Sequence, residues 1–343
     1  MTSNITRKTI AFTVMALVFG CGDSRETRLQ RFLLKGNEQA KQGNDAQAIG
    51  YYRAALELDS CFADAWNNLG TTYYRQDNFD KAVESYDRAL SCRPAYTEAL
   101  LNRANTWIAL KQYHNALRDL DKVEQVGPDT ILLHFSRGLV YTQMRNYDSA
   151  LSSFTQALRK DPSNAEIIIN MGTLHYYKHN YDSATLLLTR AIGQDPKQAD
   201  AYNTLALLYA DRGNFAEAMD RINEALQLRP RDPYFLNNRG YIRLLMGNLD
   251  AAVSDIDQSI ADDPYNAWAY RNKGLWYLRT GDIANAIQLL SRALTSPDSV
   301  EKAEYYLAEA YLAKGEKSKA CEHFKRSLEA NEMSKEDYKD KCL

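Results

Sequence analysis

The chain has 343 residues, of which 25% are charged and 45% hydrophobic, and its formal net charge is −2. This composition is that of an ordinary folded protein and excludes a disordered chain. The balanced charge also lacks the excess of Lys and Arg that nucleic-acid-binding surfaces carry, so we expect no nucleic-acid partner.

The N-terminus reads as a targeting segment. "MTSNITRK" carries Arg7 and Lys8 without an acidic residue, and an apolar run of 11 residues, 10–20, follows it. That run is far shorter than the ~20 residues of a membrane-spanning helix. A basic start, a short apolar core and a small final residue predict a secretory signal peptide over residues 1–20.

The junction "VFGC" at residues 18–21 resembles the lipobox of bacterial lipoproteins. The resemblance implies cleavage before Cys21, lipid attachment to Cys21 and export to the cell envelope. Because Gly22 stands where an Asp is linked to retention in the inner membrane, it also implies an outer-membrane protein that faces the periplasm. Residues 21–28 would then be the lipidated cysteine and a short linker. The alternative is an ordinary signal peptide with a coincidental cysteine.

From residue 29 onward the sequence repeats itself every 34 residues. Two positions of small residues and one of prolines mark the period. They are Ala48, Ala82, Ala116, Ala150, Ala184, Ala218, Ala252, Ala286 and Ala320; Gly36, Gly70, Ala104, Gly138, Gly172, Ala206, Gly240, Gly274 and Ala308; and Pro94, Pro128, Pro162, Pro196, Pro230 and Pro264. A strict period over nine copies indicates a solenoid of stacked units.

The second copy, residues 63–96, resembles the tetratricopeptide repeat (TPR) through Trp66, Leu69, Gly70, Tyr73, Ala82, Tyr86, Ala89 and Pro94. The resemblance implies an all-α fold, a right-handed α-solenoid (superhelix) of nine helix-turn-helix repeats over residues 29–334. The end repeats depart from the pattern, as capping repeats often do. Residues 335–343, after Ser334 as a helix cap, are expected to form a C-terminal capping helix.

Apolar residues at positions 4, 7, 8 and 11 of each copy have the spacing of one helix face, which we call helix A. An Asn- and Gly-rich turn follows, and then a second helix, helix B. In TPR arrays the A helices line the concave wall, so the other side of helix A is expected to face a groove. Position 6 on that side is Asn in five repeats: Asn68, Asn102, Asn170, Asn238 and Asn272.

An asparagine amide offers both a donor and an acceptor and can hold a peptide unit of a bound segment. The row therefore predicts a ladder that grips an extended peptide, and the alternative is that these residues are merely solvated. Aromatic and arginine side chains are typical of binding hot spots. Those expected in the same groove are Arg75, Tyr234, Tyr241, Trp268, Arg271 and Arg279.

The remaining cysteines are Cys61, Cys92, Cys321 and Cys342, which allow three complete pairings. A final helix that folds back makes a Cys321–Cys342 disulfide possible, and buried free thiols are the alternative. His175 and His179 are four residues apart, as metal ligands on a helix can be. However, His175 replaces a core aromatic residue and His179 falls in a turn, so we expect no metal.

The sequence contains no Gly-rich phosphate loop, no His-Glu-x-x-His and no Gly-x-Ser-x-Gly. We therefore expect no enzyme, no cofactor and no small-molecule substrate. The expected function is that of a lipid-anchored adaptor that binds a peptide or protein partner in its groove. Lipoproteins that it resembles serve envelope assembly. The alternative is a structural assembly component that self-associates or docks through its outer surface, as in secretin, pilus or outer-membrane complexes.

Overall fold

The computed structural model describes residues 24–296 and 300–343, and this part of the chain is helical throughout, without a β-strand. The predicted all-α fold of paired helices is therefore confirmed. The helices are α1 (Arg25–Lys41), α2 (Asp45–Leu58), α3 (Ala63–Arg75), α4 (Phe79–Cys92), α5 (Thr97–Ala109), α6 (Tyr113–Val126), α7 (Ile131–Gln143), α8 (Tyr147–Lys160), α9 (Ala165–Tyr177), α10 (Tyr181–Gln194), α11 (Ala199–Asp211), α12 (Phe215–Leu228), α13 (Pro233–Leu245), α14 (Leu249–Asp262), α15 (Ala267–Thr280), α16 (Ile283–Leu294), α17 (Ala303–Ala313), α18 (Lys317–Glu329) and α19 (Lys335–Cys342).

Odd-numbered helices up to α17 are the A helices and even-numbered ones the B helices, and α19 lies at the predicted place of the capping helix. One predicted boundary is wrong. Helix α1 begins at Arg25, inside the expected 21–28 linker, because the Ser24 hydroxyl accepts a hydrogen bond from the Thr27 amide and caps the helix. The predicted signal peptide and Cys21 lie outside the described residues.

The described residues form two compact units, one that ends at Asp129 and one that begins at Thr130. We call them unit 1, which holds repeats 1–3, and unit 2, which holds repeats 4–9 and α19. The uninterrupted 34-residue period gives no sign of this division. Pro128 follows Gly127 at the junction, after α6 has ended at Val126.

Helices A and B of each repeat pack through the small-residue positions. Ala82 is fully buried, and a β-carbon added at Gly70 would lie 2.7 Å from the Cε1 atom of Tyr86. The equivalent atom at Gly138 would lie 2.6 Å from the Cε1 atom of Phe154. Since an aromatic ring of helix B occupies that space, these glycines are required by close helix contact.

The turn from helix A to helix B has the same backbone in all nine repeats. The fifteenth residue of each repeat has a positive φ. The amide of the next residue donates a hydrogen bond back to helix A, as Asn78 does to the Tyr73 carbonyl at 3.0 Å. This is the Schellman arrangement that commonly ends helices. Glycine, which tolerates this backbone, fills five of the positions, and the other four residues are Asp77, Lys111, Arg145 and His179.

Candidate functional site

The A helices form the inner side of each unit. In unit 1, α3 contacts both α1 and α5; in unit 2, successive A helices from α9 to α17 contact one another. No two B helices of the described chain make comparable contact, since each B helix packs against A helices. Adjacent A helices are therefore closer together than adjacent B helices. A segment bound on the inner side would meet A-helix side chains.

Unit 1 has an open cavity of about 470 Å³ on this inner side, between repeats 1 and 2. Its volume lies within the usual range of ligand pockets. The apolar part includes Leu34, which is 66% exposed, and Tyr52. The other lining residues are Asn37, Glu38, Lys41, Asn68, Thr71 and Thr72. The cavity thus combines an exposed apolar side chain with amide, hydroxyl and charged groups.

Asn37 is at the centre of the hydrogen bonds in this cavity. Its Oδ1 atom accepts from the Tyr52 hydroxyl and from the Asn68 Nδ2 group, both at 2.8 Å. Burial raises the pKa of Tyr52, so its hydroxyl stays a donor at neutral pH. Within the described chain the Asn37 Nδ2 group donates to no side chain, and one N–H of Asn68 is likewise unused. Two amides therefore keep donors for a ligand.

Asn102, in the next repeat, also bonds to the repeat before it. Its Nδ2 group donates to Asn67 Oδ1 at 3.0 Å and to Thr71 Oγ1 at 3.4 Å. Asn67 is 1% exposed, so it belongs to the wall and not to the surface. The position-6 row contains Asn68 and Asn102 but neither Asn37, at position 9 of repeat 1, nor Asn67, at position 5 of repeat 2. The pattern that would have identified them is an Asn 31 or 35 residues before a position-6 Asn.

In unit 2, Asn238 and Asn272 form the same kind of bridge to the preceding repeat as Asn68 and Asn102 do in unit 1. Asn238 Nδ2 donates to Asn203 Oδ1 at 2.8 Å, and Asn272 Nδ2 donates to Asn237 Oδ1 at 2.7 Å. Asn237 Nδ2 also donates to Asn238 Oδ1 at 3.3 Å. Asn272 is fully buried, so the prediction that it contacts a ligand is wrong. Buried amides need partners, and neighbouring repeats supply them.

Asn170 differs from the rest of the row. Its Nδ2 group donates to the Glu166 carbonyl of its own helix at 2.9 Å, and the side chain is partly exposed. It forms no side-chain bridge to a neighbouring repeat in the described residues. Its Oδ1 atom remains an acceptor toward the inner side of unit 2.

The predicted arginine–aromatic patch is packed as a core. Arg271 is 5% exposed, and its guanidinium lies 4.7 Å from the ring centroid of Tyr241 and 5.1 Å from that of Trp268. The guanidinium donates to Asn272 Oδ1 at 2.9 Å and to the Glu301 carbonyl at 3.0 Å. Tyr241 is itself 7% exposed. Arg271 and Tyr241 are therefore corrections to the predicted groove, because aromatic rings of neighbouring repeats cover the charge.

Two other predicted arginines join adjacent repeats. Arg75 forms an ion pair with Asp45 and donates to the Ala40 carbonyl at 3.1 Å, and Arg279 donates to the Leu244 carbonyl. Both cations lie where the preceding A helix ends, which its dipole favours. Tyr234, by contrast, is 51% exposed.

Helix α11 of unit 2 also carries a carboxyl group with a raised pKa, that of Asp211. Burial raises the pKa of Asp211, and this effect outweighs the opposing effects of Lys302 and of a hydrogen bond with Tyr176. Burial also raises the pKa of Tyr176 well above its usual value.

Two disulfides are present. Cys321 and Cys342, the suggested pair, join α18 to α19 with a Cα–Cα distance of 5.5 Å, and Cys61 and Cys92 are paired at 5.4 Å in unit 1. Free thiols are thus not found among these four residues. The described residues contain no cluster of potential metal ligands. They also contain no helix that is long and apolar enough to span a membrane.

Models of the tetratricopeptide repeat match residues 63–96, 131–164, 169–233, 237–301 and 277–332, and a model described as a TPR repeat matches residues 36–77. No curated protein matches the chain significantly. Among solved structures, pilF of Pseudomonas aeruginosa is 22% identical, with a TM-score of 0.54 over 62% of this chain and 96% of that chain.

Two further structures are similar at lower TM-scores. A tetratricopeptide repeat protein from Parabacteroides merdae is 21% identical over 82% of this chain and 98% of its own, with a TM-score of 0.47. YrrB, described as a TPR protein with an unusual peptide-binding site, is 20% identical over 54% of this chain and 95% of its own, with a TM-score of 0.44. At these identities the likeness concerns the fold alone. The repeat matches, which run from residue 36 to residue 332, show that the chain belongs to the tetratricopeptide repeat family.

Proposed function

We propose that this protein is a non-enzymatic interaction scaffold, anchored by lipid on Cys21 in the bacterial envelope, that binds a peptide segment or protein partner on its inner side. Tetratricopeptide repeats generally mediate protein–protein interaction, and the matched repeats occupy most of the chain. The proposed location is the outer membrane, facing the periplasm.

The inner cavity of unit 1 is the observation that carries this proposal. It presents unused amide donors on Asn37 and Asn68 beside Leu34, whose side chain is 66% exposed. An extended peptide has groups that can match these, a carbonyl at every residue and a side chain on the same face at every second residue, which can be apolar. Packed helices lie about 8–10 Å apart, so successive repeats meet such a peptide about every third residue.

The polar side chains on the inner side of unit 1 recur with this spacing. Asn68 and Asn102 occupy the same position in successive repeats, and Thr71 lies beside both. A segment that runs along α1, α3 and α5 would meet an amide or hydroxyl from each helix. An extended segment with an apolar side chain placed at Leu34 is therefore the ligand that we propose.

The lipid anchor is supported by sequence alone. The "VFGC" junction and the basic, apolar segment before it are the features of a lipoprotein signal. Labelled palmitate should be incorporated into the wild-type protein and not into Cys21→Ala. If the wild-type protein takes up no label, the proposed lipid anchor is refuted, and the proposed binding surface is not affected by that result.

The binding surface is tested by photo-crosslinking in cells. A crosslinking residue at Asn68 should capture a partner, whereas one at Gln47, exposed on helix B of repeat 1, should not. Equal capture from both positions would contradict an inner binding face. A stable oligomer whose assembly is indifferent to Asn68→Ala, measured by light scattering, would instead favour the assembly-component alternative.

A further inference from the structure

The first helix carries a basic stripe on the side that no repeat covers. Arg28, Arg31 and Lys35 are three and four residues apart, so they lie on one face of α1, and all three are exposed. Asn37 and Lys41 lie on another face and line the unit 1 cavity. The stripe adjoins the proposed peptide site, because Arg31 and Lys35 line a surface pocket with Leu34 and Glu38, which also line the cavity.

The charge of α1 is unlike that of the chain. Five of its 17 residues are Arg or Lys and two are Glu, whereas the whole chain has a net charge of −2. Arg25 is held by the Leu58 carbonyl at 3.0 Å and lies 3.7 Å from Asp59. Arg28, in contrast, makes no ion pair with a described residue. Helix α19, at the other end of the array, balances three Lys residues with three acids.

The start of α1 fixes where this stripe can lie. Only three residues separate Cys21 from Arg25, and they span at most about 11 Å. With acyl chains on Cys21, this short tether allows α1 to lie along the headgroups, where its basic side chains are within the Debye length of ~8 Å at physiological salt. At that distance basic side chains are attracted by anionic lipids.

We propose that the Arg28–Arg31–Lys35 stripe binds the anionic phospholipid surface next to the anchor, so that α1 lies against the membrane. Lys35 adds an aromatic neighbour, since its ammonium lies 5.7 Å from the ring centroid of Tyr51. Tyrosine is enriched at membrane–water interfaces. The inner cavity, on another face of α1, stays accessible to a partner. This inference rests on the proposed function, because a lipid on Cys21 is what keeps α1 beside the bilayer in the cell.

The test uses the mature chain with Cys21→Ser, which cannot be acylated, and vesicles of phosphatidylethanolamine with phosphatidylglycerol. Sedimentation at low salt should show binding that high salt reverses, and vesicles of phosphatidylcholine alone should bind little. Arg28→Glu/Arg31→Glu/Lys35→Glu should weaken binding by at least about 100-fold, since each basic residue contributes roughly fivefold. Lys317→Glu/Lys325→Glu/Lys339→Glu makes the same change of net charge at the other end and should bind as the wild type does.

Equal loss of vesicle binding in the two triple variants, or equal binding of the Cys21→Ser protein to both vesicle types, would refute the proposed role of the stripe. Circular dichroism checks that the variants fold, and Arg28→Gln/Arg31→Gln/Lys35→Gln replaces the charge-reversed variant if it does not. Palmitate labelling of the wild type reports on the anchor separately. If the wild type is labelled but its Cys21→Ser form does not bind anionic vesicles, the stripe alone is refuted. If the wild type is not labelled but its Cys21→Ser form binds them, the anchor alone is refuted.

Discussion

The two units use one repeat pattern to make different inner surfaces. In unit 1, positions 6 and 9 of the A helices are mostly amides and hydroxyls, such as Asn68 and Thr71, around an open cavity. In unit 2, Tyr241 stands at position 9 and covers the buried Arg271, whereas asparagine amides bond across repeats in both units. Whether an asparagine at position 6 is accessible or buried therefore depends on the residues at positions 5 and 9 of the neighbouring repeats.

Removing the unit 1 disulfide should have the largest effect. Cys61→Ala/Cys92→Ala opens a loop of 31 residues and should cost about 3 kcal/mol of unfolding free energy. Hydrogen exchange should show faster opening in unit 1 and no change in unit 2. The matched variant Cys321→Ala/Cys342→Ala should loosen α19 and leave unit 1 unchanged. Equal loss of protection in both units would show that the two do not respond separately.

Arg271→Ala is expected to destabilise unit 2 by about 2–3 kcal/mol, since it leaves a cavity and the buried Asn272 Oδ1 without its donor. Arg75→Ala is the control in unit 1. Its ion pair with Asp45 is exposed, with 40% of the arginine side chain accessible, so its loss should cost at most about 1 kcal/mol. Urea denaturation followed by circular dichroism measures both. Equal costs would mean that Arg271 is not the buried centre of unit 2.

Acidification should weaken unit 2 through His175. Burial lowers the pKa of His175, and its Nδ1 atom is buried without a partner. The unfolded chain binds the proton near pH 6.5 while the folded chain resists it, so stability is full above 6.5 and falls as the pH drops. The fall is at most about 1.4 kcal/mol per pH unit.

His175→Tyr should remove this dependence, because Tyr73, Tyr141, Tyr209 and Tyr277 occupy the same position in other repeats. Thermal melts at pH 5.5 and 7.5 compare the two proteins. If the variant and the wild type lose the same stability on acidification, another group is responsible.

Asn68→Ala should weaken partner binding about five- to tenfold, because an amide hydrogen bond contributes about 1 kcal/mol. Asn238→Ala, at the same position in unit 2 and with equivalent bonds to Asn203 and Asn237, should leave binding unchanged, since the cavity beside the exposed Leu34 is lined by Asn68. Binding is measured by calorimetry, and urea denaturation measures stability separately. Reversed behaviour would place the ligand in unit 2.

The smallest expected effect lies in the turns. His179 holds a φ of 57° that glycine adopts in five other repeats, so His179→Gly should stabilise unit 2 by up to about 1 kcal/mol. Asp77→Gly in unit 1 should gain less, because Asp tolerates this backbone better. A loss of stability in His179→Gly would mean that the imidazole bond to the Tyr181 hydroxyl at 3.0 Å outweighs the strain.

Sequence reasoning was most successful where one residue type has one role. Gly70 and Ala82 predicted the helix contact that the structure contains, because only small residues fit against the ring of Tyr86. It was least successful at Arg271, which was expected in the groove. The rings around Arg271 come from three repeats, through Tyr241, Trp268 and Tyr306, so no single repeat reveals its burial.

The sequence by itself determined the helices, their turns and the pairing of helices in each repeat, since the 34-residue period repeats the same local choices of small, apolar and turn-forming residues. The tertiary structure decided which inner side chains remain available. Asn68 and Asn272 have the same residue type and position, yet their partners lie 31 and 35 residues away in the preceding repeat. Only the rotation and closeness of adjacent A helices settles whether such a partner is within hydrogen-bonding distance.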